Sequence, residues 1–107
     1  MSNQTRQLSI KTGVVNRLVK EVASYKKEVE DNKAVADRME ANGDDEYEVR
    51  QARKVQADSA QMIPDSENRL AKAIDDLEEL VASAEDDVAS TEEFKKAETA
   101  LKNARPQ

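Results

Sequence analysis

A helical seam dominates this sequence: Val15, Leu18, Val22, Tyr25, Val29, Asn32, Ala36 and Met39 follow one another at steps of three and four, with Lys and Glu filling the intervals. Heptad spacing sustained this far specifies a long amphipathic helix whose stripe must be covered by further helices. A second pattern runs through Val49, Ala52, Val55, Ser59 and Met62 and resumes at Leu70, Ile74, Leu77, Val81, Ala84 and Val88. A third, shorter one contains Phe94, Ala97, Leu101 and Ala104. The 107 residues include only two Gly and two Pro, too little punctuation for the many turns of a β-fold.

The boundaries follow from local chemistry. Leu8-Ser9-Ile10-Lys11-Thr12 alternates apolar and polar residues, which predicts a short extended arm, and Thr12 before Gly13 can cap a helix start, with an earlier start left open. The first helix is therefore expected over about 12–41. It ends at Ala41-Asn42-Gly43-Asp44-Asp45, where Asn and Gly tolerate left-handed backbone and Asp can cap the next helix. The second is expected over about 45–88. Pro64 lacks a backbone donor and clashes with the carbonyl four residues back, so Met62-Ile63-Pro64-Asp65 must kink or break the helix, and with no turn residues beside it a kink is expected. Ser90-Thr91-Glu92-Glu93 fits a capping box with Ser90 as cap, opening a third helix over about 91–104. Short turns between three helices imply an all-α fold, an elongated antiparallel three-helix bundle with coiled-coil-like packing that forms a single domain over 1–107.

Composition narrows the function. Hydrophobic residues make up 37% of the chain and charged residues another 37%, with one Phe, two Tyr and no Trp, so the core must be thin. Ordering of the apolar positions distinguishes the chain from a disordered one of similar composition. Cys and His are both absent, which removes disulfides, thiolate metal sites and Cys/His or Ser/His catalysis. No apolar run approaches a bilayer span, and Met1 to Arg6 has no signal-peptide core, so a cytoplasmic protein without a membrane partner is expected. A net charge of −6 argues against nucleic acid. A slim rod with a seam of Val, Ala and Leu leaves no room for a substrate pocket, so neither an enzyme nor a bound cofactor is expected.

Charge is nevertheless uneven. Residues 1–33 carry seven Lys or Arg against four acids, whereas residues 65–93 carry two cations, Arg69 and Lys72, against eleven acids. The acidic neighbours Asp75-Asp76, Glu78-Glu79 and Asp86-Asp87 point in different directions on a helix, and a solvated face explains them better than metal binding or acid/base work. Asp44-Asp45-Glu46 lacks EF-hand spacing. Tyr25 reads as a core residue with its hydroxyl at the rim. Asn32 reads as a polar break in the seam that can fix register, or as a solvent-facing residue if the helix rotates slightly. Met62 and Ile63 cannot both face a narrow seam, so one of them is a candidate exposed anchor.

Four strings carry a resemblance: Ile10-Lys11-Thr12-Gly13-Val14-Val15-Asn16-Arg17-Leu18-Val19-Lys20-Glu21, Tyr25-Lys26-Lys27-Glu28-Val29, Tyr47-Glu48-Val49-Arg50-Gln51 and Met62-Ile63-Pro64-Asp65. In order and spacing, across roughly residues 8 to 70, they resemble the tubulin-binding cofactor A (tubulin-specific chaperone A) family. The remaining third matches only in length, acidity and helical pattern. One departure stands before Tyr47, where the family often has Asp-Pro and this chain has Asp45-Glu46. The resemblance implies a three-helix bundle that captures β-tubulin released from the cytosolic chaperonin and passes it toward assembly with α-tubulin, alongside other tubulin-folding cofactors and close to the cytoskeleton. Tubulin is acidic, so the basic first helix is the expected contact, through Arg17, Lys20, Glu21, Lys26 and Lys27, extended to Met62, Ile63, Pro64, Asp65 and Arg69 where the kink displays side chains. The heptads alone would also suit a generic coiled-coil adaptor, and they leave monomer and weak homodimer open.

Overall fold

The computed structural model describes residues 2–105, and from Asn3 to Ala104 these are all in helices or the short turns between them. Helix α1 spans Asn3–Ala41, α2 Glu46–Ala60, α3 Met62–Ala82, α4 Asp86–Ala89 and α5 Glu92–Ala104. The all-α fold expected from the seam is the one found.

Helix α1 starts well before Thr12, so no extended arm exists. Thr5, Leu8, Thr12, Val15, Leu18 and Val22 are all buried and keep steps of three and four, which carries the seam back to the helix start. The alternation around Leu8 misled because it was too short to separate a period of two from one of 3.6. Ser2 supplies the start signal, its Oγ accepting from the Thr5 amide at 3.1 Å. Gly13 lies inside the helix, where its cost of about 1 kcal/mol is too small to end a helix that packs on both sides of it.

The first turn is as the residues require. Gly43 takes φ 72°, the left-handed region, and Asp45 caps α2, its carboxylate accepting from the Tyr47 amide at 3.1 Å.

Beyond it, the expected kinked helix over 45–88 is replaced by three helices. The first interruption is Gln61, which keeps right-handed dihedrals (φ −65°, ψ −19°) while its amide reaches back to the carbonyls of Asp58 and Ser59. Pro64 thereby falls in the first turn of α3, where a missing N–H costs nothing because first-turn amides have no intrahelical acceptor. The second interruption follows Ala82. Glu85 is extended (φ −74°, ψ 162°) and opens the single turn of α4, whose Val88 is buried. Apolar spacing runs on through Ala84 and Val88 because both still face the core, so periodicity could not reveal this break. The cap of α5 is Thr91, not Ser90: Thr91 Oγ1 accepts from the Phe94 amide at 3.2 Å, while Ser90 ends α4.

Length predicts one domain, yet the chain divides into two compact units, one comprising the chain up to Lys20 with the chain from Asn68 onward, the other Glu21–Glu67. The first unit holds a continuous core of Leu8, Val15, Leu18, Ala73, Leu77, Val88, Ala97, Ala100 and Leu101. Its ends are tied by the Glu85 amide on Gln4 Oε1 at 3.4 Å and by Arg105 with Glu78 at 3.0 Å. The second unit is an antiparallel hairpin of the later part of α1 with α2 and the start of α3. Its register is marked by Arg53 with Asp37 and Glu40 at 2.7 and 3.2 Å, Asn32 Nδ2 donating to Ser59 Oγ at 3.2 Å, and Lys26 with Glu67 at 3.2 Å. No residue of α2 is buried.

Candidate interaction surface

The first unit contains three of the residues expected at a binding surface: Arg17, Lys20 and Arg69, all exposed. Pairing of α1 with α3 brings Arg17 and Arg69 to one shallow depression of about 220 Å³. Its floor is Val14, Leu18 and Ala73, and its rim adds Lys11, Lys72 and Asp76. Lys11 and Lys72 are the cations that sequence reasoning missed. The signal was available in the helical spacing of Lys11, Val14 and Leu18, but assigning Lys11 to an extended arm hid it. Lys20 is not among the residues around this depression.

In the second unit, Lys26 and Lys27 project from α1 but are not bare charges. Lys26 pairs with Glu67 in the second turn of α3, and Lys27 pairs with Asp31 one turn along at 2.9 Å. The hydrogen bond and charge of Asp31 hold the Lys27 ammonium above the ordinary lysine range. Glu21 accepts from the Tyr25 hydroxyl at 3.2 Å, and Tyr25 itself is half-buried. The first turn of α3 resolves the Met62-Ile63 competition: Met62 is exposed at 46%, whereas Ile63 is half-buried and Ser66 fully so. Pro64 and Asp65 are exposed. Asn32 faces the hairpin, donating to Ser59, which in turn donates to the Gln56 carbonyl at 2.7 Å.

The remaining charges form structural networks. Asp37 accepts from Lys33 at 2.8 Å and from Arg53, and these two partners, Lys33 first, hold its carboxyl below the usual aspartate range. Arg53 is correspondingly raised, first by Asp37 and then by Glu40. Among the described residues no cluster of carboxylates has metal-binding geometry, and no helix is long and apolar enough to cross a membrane. Two other open depressions, of about 360 and 400 Å³, are lined mainly by polar and charged residue types and lie on the first unit. Such surfaces can present charge and apolar side chains to a macromolecule.

The model of the family described as Tubulin binding cofactor A matches residues 3–101 of this chain. Tubulin-specific chaperone A of Mus musculus is 36% identical over 102 residues, which cover 95% of this chain and 94% of that protein. Tubulin-folding cofactor A of Arabidopsis thaliana is 42% identical over 81 residues, 76% of this chain and 72% of the relative. The crystal structure of tubulin folding cofactor A from Arabidopsis thaliana superposes with a TM-score of 0.90 at 36% identity over 97% of both chains. Human tubulin chaperone cofactor A gives 0.81 at 36% identity, over 94% of this chain and 96% of that one.

Proposed function

Because the chain belongs to the tubulin binding cofactor A family, we propose that it is a non-catalytic tubulin-folding cofactor that holds β-tubulin released from the cytosolic chaperonin and passes it on for assembly with α-tubulin. The observation that carries this reading is correspondence over nearly the whole chain: solved cofactors A are 36% identical and superpose over 94–97% of it. A helical protein with shallow, open depressions on its surface suits the task, since a client can be held by a broad polar contact in which a few apolar side chains act as anchors. In this reading the protein works in the cytoplasm beside the cytoskeleton, with other tubulin-folding cofactors acting on the same client.

Two patches, one on each unit, are the proposed client contacts. On the first unit these are Arg17, Lys20 and Arg69. On the second they are Glu21, Lys26, Lys27 and the first turn of α3, with Met62 as the exposed anchor and Ile63, Pro64 and Asp65 around it. Lys26 and Lys27 must exchange or share their present partners to engage a client, so Lys20 and Arg17 are the more direct electrostatic contacts.

The test is co-migration of the purified protein with chaperonin-released β-tubulin on a sizing column, with assembled heterodimer as comparison. A complex with free β-tubulin alone is expected. No complex with either form would leave the chain a helical adaptor with another partner.

A further inference from the structure

We propose that the depression between α1 and α3 in the first unit receives a short carboxylate-rich segment of a partner protein, gripped by Arg17 with Lys11 and Lys72 beside it, at a rim that Arg69, already engaged in a polar contact of its own, completes. The inference rests on the client-binding reading above and supplies the chemistry of the grip.

Local charge opposes the charge of the whole. The chain carries −6, yet this rim has four cations and one acid, Asp76. The stretch that contains most of α3 is acid-rich: residues 65–93 hold eleven acids, six of them on α3, and only two cations, and both of those cations, Arg69 and Lys72, stand at the depression. Neutralising α3 through α1 would spread cations along its acidic side chains. Instead, Lys11, Arg17 and Lys72 have no ion pair among the described residues. Unbalanced like charges repel, and a partner of opposite sign relieves that repulsion.

The chemistry of the cations favours carboxylates on a peptide. Guanidinium groups bind a carboxylate through two parallel N–H donors, which gives orientation as well as attraction. Val14, Leu18 and Ala73 form an apolar floor beneath them, where the methylenes of Glu side chains can pack and water is partly excluded, strengthening the pairs above. The volume, about 220 Å³, accommodates a few side chains of an extended segment. Direction is set by the acids: Asp76 closes one end, and the adjoining depression adds Glu79 to Asp76, so a carboxylate run is repelled beyond that point.

Fluorescence anisotropy with labelled hexaglutamate provides the test, run on the full chain at low salt. Arg17→Glu combined with Lys72→Glu is compared with Lys95→Glu combined with Lys96→Glu, an equal change of net charge on α5. All four side chains are exposed, and circular dichroism checks that each variant keeps its helix content. Saturable binding is expected, weakened at least about tenfold by the first pair and less than about twofold by the second, because only contacts at close range carry the site-specific part of the attraction. The first pair should also weaken capture of β-tubulin. The inference is overturned by equal loss in both variants, by absence of saturable binding, by unchanged β-tubulin capture in the first variant, or by tighter binding of a hexathymidylate oligonucleotide at the same residues. If the unmodified protein captures β-tubulin while the peptide result fails, only this inference falls; if it captures none, the client reading falls independently.

Discussion

Gly13 and Gly43 show how one residue type takes opposite roles in this chain. Around either one, a Cβ would meet no atom within 4 Å, so space decides nothing and backbone conformation decides everything. Gly13 is helical, and there Ala is preferred because Gly loses more backbone freedom on folding. Gly13→Ala is expected to stabilise by about 0.5–1 kcal/mol. Gly43 sits at φ 72°, where an L side chain crowds its own backbone, so Gly43→Ala is expected to cost about 1–2 kcal/mol. Urea midpoints of the two variants should therefore move in opposite directions, and a shared direction would contradict the assigned conformations. Only the second of these roles was legible in the sequence: Asn42-Gly43 between two apolar patterns signals a turn, whereas Thr12-Gly13 imitates a helix start. Thr12 is in fact buried, and its hydroxyl lacks a hydrogen-bond partner, a position no capping rule anticipates.

At the scale of helices, the hairpin of α1 with α2 combines polar pairs with only partial burial of α2. Arg53 of α2 bridges Asp37 and Glu40, and Asn32 meets Ser59, while Val49 and Ala52 of α2 are half-buried and none of its residues is fully so. The Asp37 carboxyl is lowered by Lys33 and Arg53. A carboxylate depressed on folding stabilises the folded form above its unfolded pKa and loses that contribution as pH falls through the folded value. The hairpin should thus keep this support from neutrality down to about pH 4, the region of an ordinary aspartate, and lose it below. In urea denaturation at a series of pH values, Asp37→Asn is expected to weaken the protein at neutral pH and to flatten the acid limb of its stability profile. An acid limb identical to that of the unmodified protein would show that Asp37 contributes nothing there. Asp45 as cap of α2 could be read from the sequence because Asp after a Gly turn has few other uses. The choice of Thr91 over Ser90 could not, since both residues satisfy the same capping rule and tertiary contacts of Val88 and Phe94 decide between them. Periodicity likewise gave the helical content but passed over the breaks at Gln61 and Ala82.

Across the whole chain, apolar burial is unequal. The core cluster lies entirely in the unit built from the chain up to Lys20 and from Asn68 onward, whereas Glu21–Glu67 contributes only Val22 and Ala36 to the buried hydrophobic residues. The meeting of Lys11 with Lys72 was likewise hidden in the sequence: helical spacing sets Lys11 beside Val14 and Leu18, but only the register of α1 against α3 brings Lys72 to the same depression. Burial of apolar surface is the principal stabilising contribution in a folded chain, and regions poor in it open locally at lower free energy than the core. Amides of α2 should therefore exchange with solvent through openings that leave the first unit folded. Leu77 is fully buried in that first unit, and Leu77→Ala is expected to cost about 2–5 kcal/mol of its stability. Native-state hydrogen exchange distinguishes the cases. Protection of amides near Leu8, Val15 and Leu101 should fall by the full cost of the substitution, while protection in α2, already limited by its own opening, should change little. An equal fall in both sets would mean that the weakly buried hairpin opens only when the core does, and that its ion pairs bind it into one cooperative structure.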